Sequence, residues 1–134
     1  TYDGCSTPLW GLPVKNIVKA YYQLFNQEKY KPLICAALKN PYIFGGFNRL
    51  DTEIIQLSKS KLFSKVGAGG FVLVYNIEKN EILILKMTQN NNEARRLILL
   101  DMLNKLNWLN IEIAKYELNQ KKQKTAKYFY KFKI

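Results

Sequence analysis

Histidine is absent from this 134-residue chain. Its absence excludes Ser-His-Asp and Cys-His catalysis by these residues alone, and it excludes every zinc motif that needs an imidazole ligand. Cysteine is scarce as well, because only Cys5 and Cys35 are present and their spacing is not regular. Two such cysteines do not make a disulfide framework, so we expect a reduced, cytoplasmic setting.

Long hydrophobic runs are also missing. No apolar run approaches the roughly 18 residues that span a bilayer, so we expect no membrane partner. The N-terminus has no basic region followed by an apolar stretch, and it therefore predicts no signal peptide. It also lacks an initiator Met and begins with Thr1-Tyr2-Asp3. We therefore expect a fragment, a processed chain or one half of a longer protein.

Arginine is rare in a strongly basic chain. The net charge is +11, yet only three of the 21 basic residues are arginines, at positions 49, 95 and 96. Sequence-specific DNA readers depend on bidentate arginine, and lysine enrichment also follows from A/T-rich codons, so the charge is a weak indicator of nucleic-acid binding. Apolar residues make up 48% of the chain, which favours one folded domain with a real core.

Helical spacing of apolar residues is clearest near the N-terminus. Positions 14, 17, 18, 21, 22 and 25 are apolar or aromatic, which predicts an amphipathic helix that Pro13 opens. A second helix is predicted over residues 31–39 and ends at Asn40-Pro41, because a residue before proline avoids the helical region. Residues 42–50 are predicted to be irregular.

Two further helices are predicted from capping residues and periodicity. Asp51 is expected to cap a helix over residues 52–57. The last helix is predicted over residues 93–109, with Asn92 or Gln89 as its cap. Its wide apolar face predicts packing against a sheet.

The only Gly-rich run, Gly67-Ala68-Gly69-Gly70, stands before two apolar stretches. Residues 71–77 and 81–87, divided by a short polar break, predict a β-hairpin. Small residues ahead of its first strand allow a close approach by a ligand or another backbone, and Lys65 could present its charge there. The alternative is a tight turn beside a solvated lysine.

The C-terminal residues 111–134 have a different character, with many lysines and with aromatic residues at positions 128, 129, 130 and 132. This pattern indicates either a basic-aromatic tail that binds nucleic acid or an edge strand of the sheet whose lysines discourage aggregation. We therefore divide the chain into a main unit, 1–110, and this tail.

Two other groups of residues suggest chemistry. Asp3-Gly4-Cys5 places a carboxylate and a thiol together, which suits a zinc-like ion, although a turn with a buried Cys is the alternative. Ser58 and Lys61 satisfy Ser-x-x-Lys, a nucleophile pattern that needs a desolvated lysine. They stand in a polar, lysine-rich stretch, so a chance match is the better interpretation.

Several short motifs occur in a recognisable order over about residues 2–110. They are Asp3-Gly4-Cys5, Pro8, Leu12-Pro13, Ala36-Ala37-Leu38-Lys39-Asn40-Pro41, Gly46, Arg49-Leu50-Asp51-Thr52, Lys65-Val66-Gly67-Ala68-Gly69-Gly70, Leu85-Lys86-Met87 and Glu93-Ala94-Arg95. In this order the chain resembles the C-terminal half of the L-asparaginase II family, the thermolabile type. It departs from the family pattern at Ser6, which replaces glycine, and at Gly69, which replaces glutamate.

The resemblance implies an α+β fold, a three-layer α/β sandwich with an antiparallel sheet and flanking helices. It would be a partial domain, related to serine β-lactamases and glutaminases. The implied activity is hydrolysis of L-asparagine to L-aspartate and ammonia, with a serine nucleophile in a missing N-terminal half. We expect this chain alone to be inactive.

The resemblance also implies roles for particular residues. Lys65 would be the catalytic lysine on a sheet strand, and Asp3, Gly67 and Ala68 would bind substrate. Cys5 and Asp3 would lie near a metal ion. Zinc is therefore a candidate cofactor, although the sequence requires none. The expected partners are L-asparagine and the N-terminal half of the enzyme, and a second copy of the chain, in a homodimer, is a further candidate. The alternatives are a basic nucleic-acid-binding module and a non-catalytic remnant that binds a partner half.

Overall fold

A three-strand antiparallel sheet with helices around it forms the centre of this mixed α+β protein. The computed structural model describes residues 2, 5–113, 116–118, 121 and 124–127. Within these residues the α-helices and β-strands are α1 (Val14–Phe25), α2 (Lys31–Lys39), α3 (Pro41–Gly45), α4 (Leu50–Leu57), β1 (Leu62–Gly67), β2 (Phe71–Asn76), β3 (Glu81–Lys86), α5 (Asn92–Lys105), β4 (Tyr116–Leu118) and β5 (Lys124–Lys127), and a short 3₁₀ helix (Glu28–Tyr30) precedes α2. Among the described residues, none of the helices combines the length and apolar character needed to cross a membrane.

The predicted hairpin is confirmed as β2 and β3, which pair antiparallel from Phe71 opposite Lys86 to Asn76 opposite Glu81. The Gly-rich run was predicted to precede the first strand of the sheet, and this prediction is wrong. Another strand, β1, comes before it and pairs antiparallel with β2. The run therefore forms the β1–β2 turn, where Gly69 and Gly70 have φ angles of 61° and 74°. Glycine enters this left-handed region without the steric cost that a Cβ brings.

Side chains on the two faces of the sheet belong to two separate hydrophobic clusters, since neighbouring residues of a strand point in opposite directions. One face contributes Leu62, Val66, Val72 and Val74, which pack with residues of α4 and α5. The other face contributes Phe63, Leu73 and Tyr75, which pack with residues of α1 and α2. Helices therefore cover both faces of the sheet. The wide apolar face of the last helix predicted that this helix packs against a sheet, and α5 does so.

The first two helices follow the prediction, and the next stretch does not. The first helix begins at Val14, directly after Pro13, and the second has the predicted bounds. Residues 42–50 were expected to be irregular, but a short helix, α3, occupies Pro41–Gly45. Proline is favoured in the first turn of a helix. Pro41 therefore stops α2 from continuing and at the same time begins α3.

Both predicted helix caps are wrong. Helix α4 begins at Leu50, with Arg49 in the cap position, so Asp51 lies inside its first turn. Helix α5 is capped by Asn91, whose side chain accepts a hydrogen bond of 2.9 Å from the Ala94 N–H. That helix ends at Lys105, four residues earlier than residue 109, and Asn107 follows with a φ of 55°.

The C-terminal stretch contains the paired strands β4 and β5, which form a two-strand antiparallel sheet. Residues 128–134, which carry the aromatic part of the predicted tail, lie outside the described residues. The alternatives of a nucleic-acid-binding tail and an edge strand therefore stay predictions.

Candidate functional site

Lys65 lies near the middle of β1, and its side chain is on the face of the sheet that carries Phe63. Its ammonium lies 3.1 Å from a carboxylate oxygen of Asp51 and 5.4 Å from the centre of the Phe44 ring. The Lys65 side chain is 43% exposed, whereas that of Asp51 is fully buried. A charged group is therefore held in a fixed place while one side of it stays open to solvent.

Asp51 explains why Lys65 is held there. In the described part of the chain, the strand order β1-β2-β3 leaves one edge of β1 without a strand partner. The second carboxylate oxygen of Asp51 accepts a hydrogen bond of 2.6 Å from the Val66 N–H at that edge. A buried carboxylate needs such partners, because burying an uncompensated charge is costly. Asp51 thus connects α4 to β1 by one charged and one backbone contact.

The rest of the Arg49-Leu50-Asp51-Thr52 motif fixes the start of α4. The hydroxyl of Thr52 donates to the Gly46 carbonyl at 2.6 Å and lies 3.1 Å from the Pro41 carbonyl. A Cβ on Gly45 would stand 2.6 Å from the same hydroxyl, so only glycine fits there. Asp51 was predicted as a helix cap, and its role beside Lys65 was missed. The sequence signal that could have indicated this role was the place of Asp51 in the Arg49-Leu50-Asp51-Thr52 motif.

The predicted substrate-binding residues Gly67 and Ala68 lie at the end of β1 that leads into the turn. Gly67 is two residues after Lys65 and therefore on the same face of the strand. A Cβ there would approach the Phe71 ring to 3.0 Å, and Ala68 in the turn is exposed. Lys65 and Gly67 thus lie on one face of β1 and Ala68 follows in the turn, while the contacts of Asp51 are with Lys65 and Val66.

The N-terminal loop contains the remaining predicted site residues. Cys5 is exposed in this loop, in which Tyr2 and Pro8 form an isolated antiparallel bridge. Asp3 lies outside the described residues. Among the residues that are described, no three Cys, Asp or Glu side chains are grouped so as to hold a metal ion. The metal assignment for Cys5 and Asp3 therefore stays a prediction.

Ser58 and Lys61 have local structural contacts. The Ser58 hydroxyl donates to the Ile55 carbonyl at 3.0 Å and accepts from the Leu62 N–H at 3.1 Å, and Ser58 is buried. Lys61 forms an exposed ion pair of 2.9 Å with Glu78. The serine hydroxyl is thus occupied at the α4–β1 junction, and the lysine amine is paired elsewhere.

A family model for L-asparaginase II matches residues 1–130 of the 134-residue chain. The chain belongs to the L-asparaginase II family. The match extends past residue 110, where the motif resemblance ends. No curated protein matches the chain in sequence. Members of the family are asparaginase amidohydrolases, so the family implies L-asparagine as the substrate.

The family motif at the start of α5 has a structural role in this protein. Arg95 is 6% exposed, and its guanidinium approaches the Gly67 and Phe71 carbonyls at 3.4 Å each and donates to the Asn92 side-chain oxygen at 2.7 Å. Arg96 forms a bidentate pair with Glu53 of α4 at 2.5–3.0 Å. The hydrogen bond to Glu53 raises the pKa of Arg96. These contacts connect α5 to the β1–β2 turn and to α4.

Proposed function

We propose that this chain supplies the lysine-bearing part of an active site that hydrolyses the side-chain amide of L-asparagine to L-aspartate and ammonia. The observation that supports it is the placement of Lys65 by the buried Asp51, in a chain of the L-asparaginase II family. An ammonium held in this way is suited to a substrate that develops negative charge.

The proposed role of Lys65 is electrostatic. Attack on an amide carbonyl produces an oxyanion, and a preorganised positive group beside that oxygen lowers the barrier. Asp51 acts as a positioning residue, because its two contacts fix both the strand edge and the lysine. Gly67 and Ala68 would form the adjacent wall for substrate, and Asp3 would contribute from the N-terminal loop.

The proposed nucleophile is a serine outside residues 1–134. Its hydroxyl would attack the amide carbon, ammonia would leave, and water would then hydrolyse the acyl-enzyme ester to aspartate. Ser58 is unsuited to this task because both hydrogen-bonding functions of its hydroxyl are used at the end of α4. We also propose that the complete protein has the three-layer, serine β-lactamase-like fold, and that this chain is part of that domain.

An ammonia-release assay on L-asparagine tests the proposal, with the chain expressed alone and together with its upstream coding region. We expect release only from the longer protein. We expect Lys65→Ala to reduce kcat by roughly 10²–10³, the usual effect of removing one group that stabilises an oxyanion. Lys61→Ala is the matched control, because Lys61 is exposed and paired with Glu78 on the surface. Equal rates in Lys65→Ala and Lys61→Ala would contradict the assigned role of Lys65.

Zinc is the metal that suits the thiol of Cys5 with a carboxylate such as Asp3. We propose these two residues as its ligands or near neighbours. Metal analysis of the purified longer protein, compared with its Cys5→Ser variant, tests this assignment. A zinc content that is the same in both proteins would contradict it.

A further inference from the structure

A groove of about 650 Å³ lies between α4 and α5, and its lining includes Arg49, Arg95 and Arg96. We call it the arginine groove. Val66 also lines it, and neighbouring residues of a strand point to opposite faces. The arginine groove therefore lies on the other side of β1 from Lys65, and it is distinct from the proposed asparaginase site.

The composition of the chain makes this lining unusual. The 21 basic residues include three arginines and hence 18 lysines. All three arginines line the groove, and none of the lysines that the structure describes does. A guanidinium differs from an ammonium in its planar fork, which matches the two oxygens of a carboxylate. In a chain that otherwise uses lysine, arginine is therefore concentrated at one surface.

The three guanidinium groups differ in how well their hydrogen bonds are satisfied. Arg96 is engaged by Glu53 and lies 4.0 Å from Glu93, so its charge is largely compensated. Arg95 is 6% exposed, and its buried Nε has no hydrogen-bond partner among the residues that the structure describes. Arg49 is exposed and, within the described part of the chain, has no carboxylate partner. Arg49 thus has exposed donors to spare, and Arg95 has one unpaired donor that is buried.

The start of α5 adds a further favourable field. This helix of 14 residues begins at Asn92, in the wall of the groove, and a helix N-terminus carries partial positive charge. Glu53 and Glu93 also line the groove and oppose an anion, but Glu53 is held by Arg96 and Glu93 is half exposed. The charged side chains that line the groove are three arginines and two glutamates, which leaves a net formal charge of +1.

We propose that the arginine groove binds a small carboxylate anion through Arg49 and Arg95. The carboxylate would accept hydrogen bonds from the exposed guanidinium of Arg49, and Arg95 would attract it from the wall of the groove by its positive charge. This site is independent of the asparaginase proposal, because it uses neither Lys65 nor a nucleophile.

The test follows from the arginine count. Labelling the chain with ¹⁵N-arginine gives three side-chain Nε–H signals in an NMR spectrum, one for each arginine, and single Arg→Lys variants assign them. Titration with succinate is expected to shift the Arg49 and Arg95 signals saturably and the Arg96 signal much less. Arg49→Gln, an exposed position, is expected to weaken binding at least about tenfold, the loss of one charge-assisted hydrogen bond.

Three controls make the outcome decisive. Lys65→Ala is expected to bind succinate as the parent does, whatever its effect on ammonia release. Sodium chloride at matched ionic strength is expected to produce no saturable shift, and inorganic phosphate is expected to bind more weakly than succinate. The proposal is overturned by unsaturable shifts, by unchanged affinity in Arg49→Gln, by loss of binding in Lys65→Ala, or by phosphate binding as tightly as succinate.

Discussion

At the scale of single residues, two lysines close together in the chain show how burial of the partner decides the value of an ion pair. Lys61 and Glu78 are both more than half exposed, whereas the carboxylate that pairs with Lys65 is fully buried. Exposed pairs contribute little, because water and salt screen them. Removing the partner of a buried charge is costly, since that charge stays uncompensated.

We therefore predict that Lys65→Ala lowers the free energy of unfolding by about 1–3 kcal/mol, a buried-pair loss reduced because Lys65 is itself partly exposed. Lys61→Ala should change it by less than about 0.5 kcal/mol. Urea unfolding at neutral pH, monitored by circular dichroism, measures both. Equal losses in the two variants would show that Asp51 does not depend on Lys65.

Gly69 gives a second prediction at this scale. Its φ of 61° is in the left-handed region, and a Cβ there would stand 3.3 Å from the Lys86 ammonium. Gly69→Ala should cost about 1–2 kcal/mol of stability for the left-handed conformation. Gly69→Glu should cost less than Gly69→Ala by a few tenths of a kcal/mol, because its carboxylate lies beside Lys86.

Chemical unfolding of the two Gly69 variants at low and high salt measures this difference. The advantage of glutamate over alanine should disappear at 1 M salt, where surface charges are screened. It should also disappear in a Lys86→Ala background. A salt-independent advantage would mean that Lys86 is not the partner.

At the scale of elements, the end of α1 and the β2–β3 turn are joined by a polar network. The Asn80 side chain bonds the hydroxyls of Tyr22 and Tyr75 at 3.1 Å each and the Asn26 side chain at 3.2 Å. The Tyr75 ring stacks on Phe25 with centres 4.2 Å apart. The helix is therefore positioned on the sheet by aromatic stacking and by a turn residue in the left-handed conformation.

This packing predicts a pH dependence. Burial raises the pKa of Tyr75 above its ordinary value of 10.0, with a smaller contribution from Tyr22 and an opposing one from Lys31. Because the folded state binds the proton more tightly, the stabilisation is fully present below pH 10 and is lost as the pH rises through the raised pKa. Tyr75→Phe keeps the ring and removes the titrating group.

The stability of the parent relative to Tyr75→Phe should therefore fall between pH 9 and pH 11. Urea unfolding of both proteins at these two pH values gives the difference between their free energies of unfolding. The contribution of lysine titration is common to both proteins and cancels in this difference. Tyr2→Phe, at an exposed position, is the control for the loss of a tyrosine hydroxyl. A difference that does not change with pH would contradict the raised pKa.

At the scale of the whole molecule, the sheet is stabilised from both faces. Leu73 is fully buried in the cluster with α1 and α2, and Leu100 is 1% exposed in the cluster with α4 and α5. Because both clusters are buried, we expect a truncation in either one to lower the free energy of unfolding. A sheet with only one covered face would tolerate truncation on the other.

We predict that Leu73→Ala and Leu100→Ala each lower the free energy of unfolding by about 2–5 kcal/mol, the usual cost of a cavity at a buried leucine. Leu33→Ala, at a position 63% exposed, should cost far less. Thermal unfolding monitored by calorimetry measures all three. A cost at Leu73 no larger than that at Leu33 would mean that α1 and α2 do not cover the sheet in solution.

Local pattern predicted much of this fold because its causes are local. The hairpin follows from two apolar runs divided by a short polar break, α1 from helical spacing, and the end of α2 from Asn40-Pro41. The two wrong caps have another cause. Tertiary partners there compete for the polar side chains: Asp51 is taken by β1, and Asn92 accepts from Arg95.

The sequence by itself determined the family, the mixed α+β class and Lys65 as the residue of interest, since each depends on residue types in a fixed order. Only the tertiary structure brought Asp51, 14 positions earlier, to the edge of β1 and gathered three arginines from two distant segments around one groove. These groupings depend on which strand edge is left open and which helices cross it. Spacing along the chain carries no information about either.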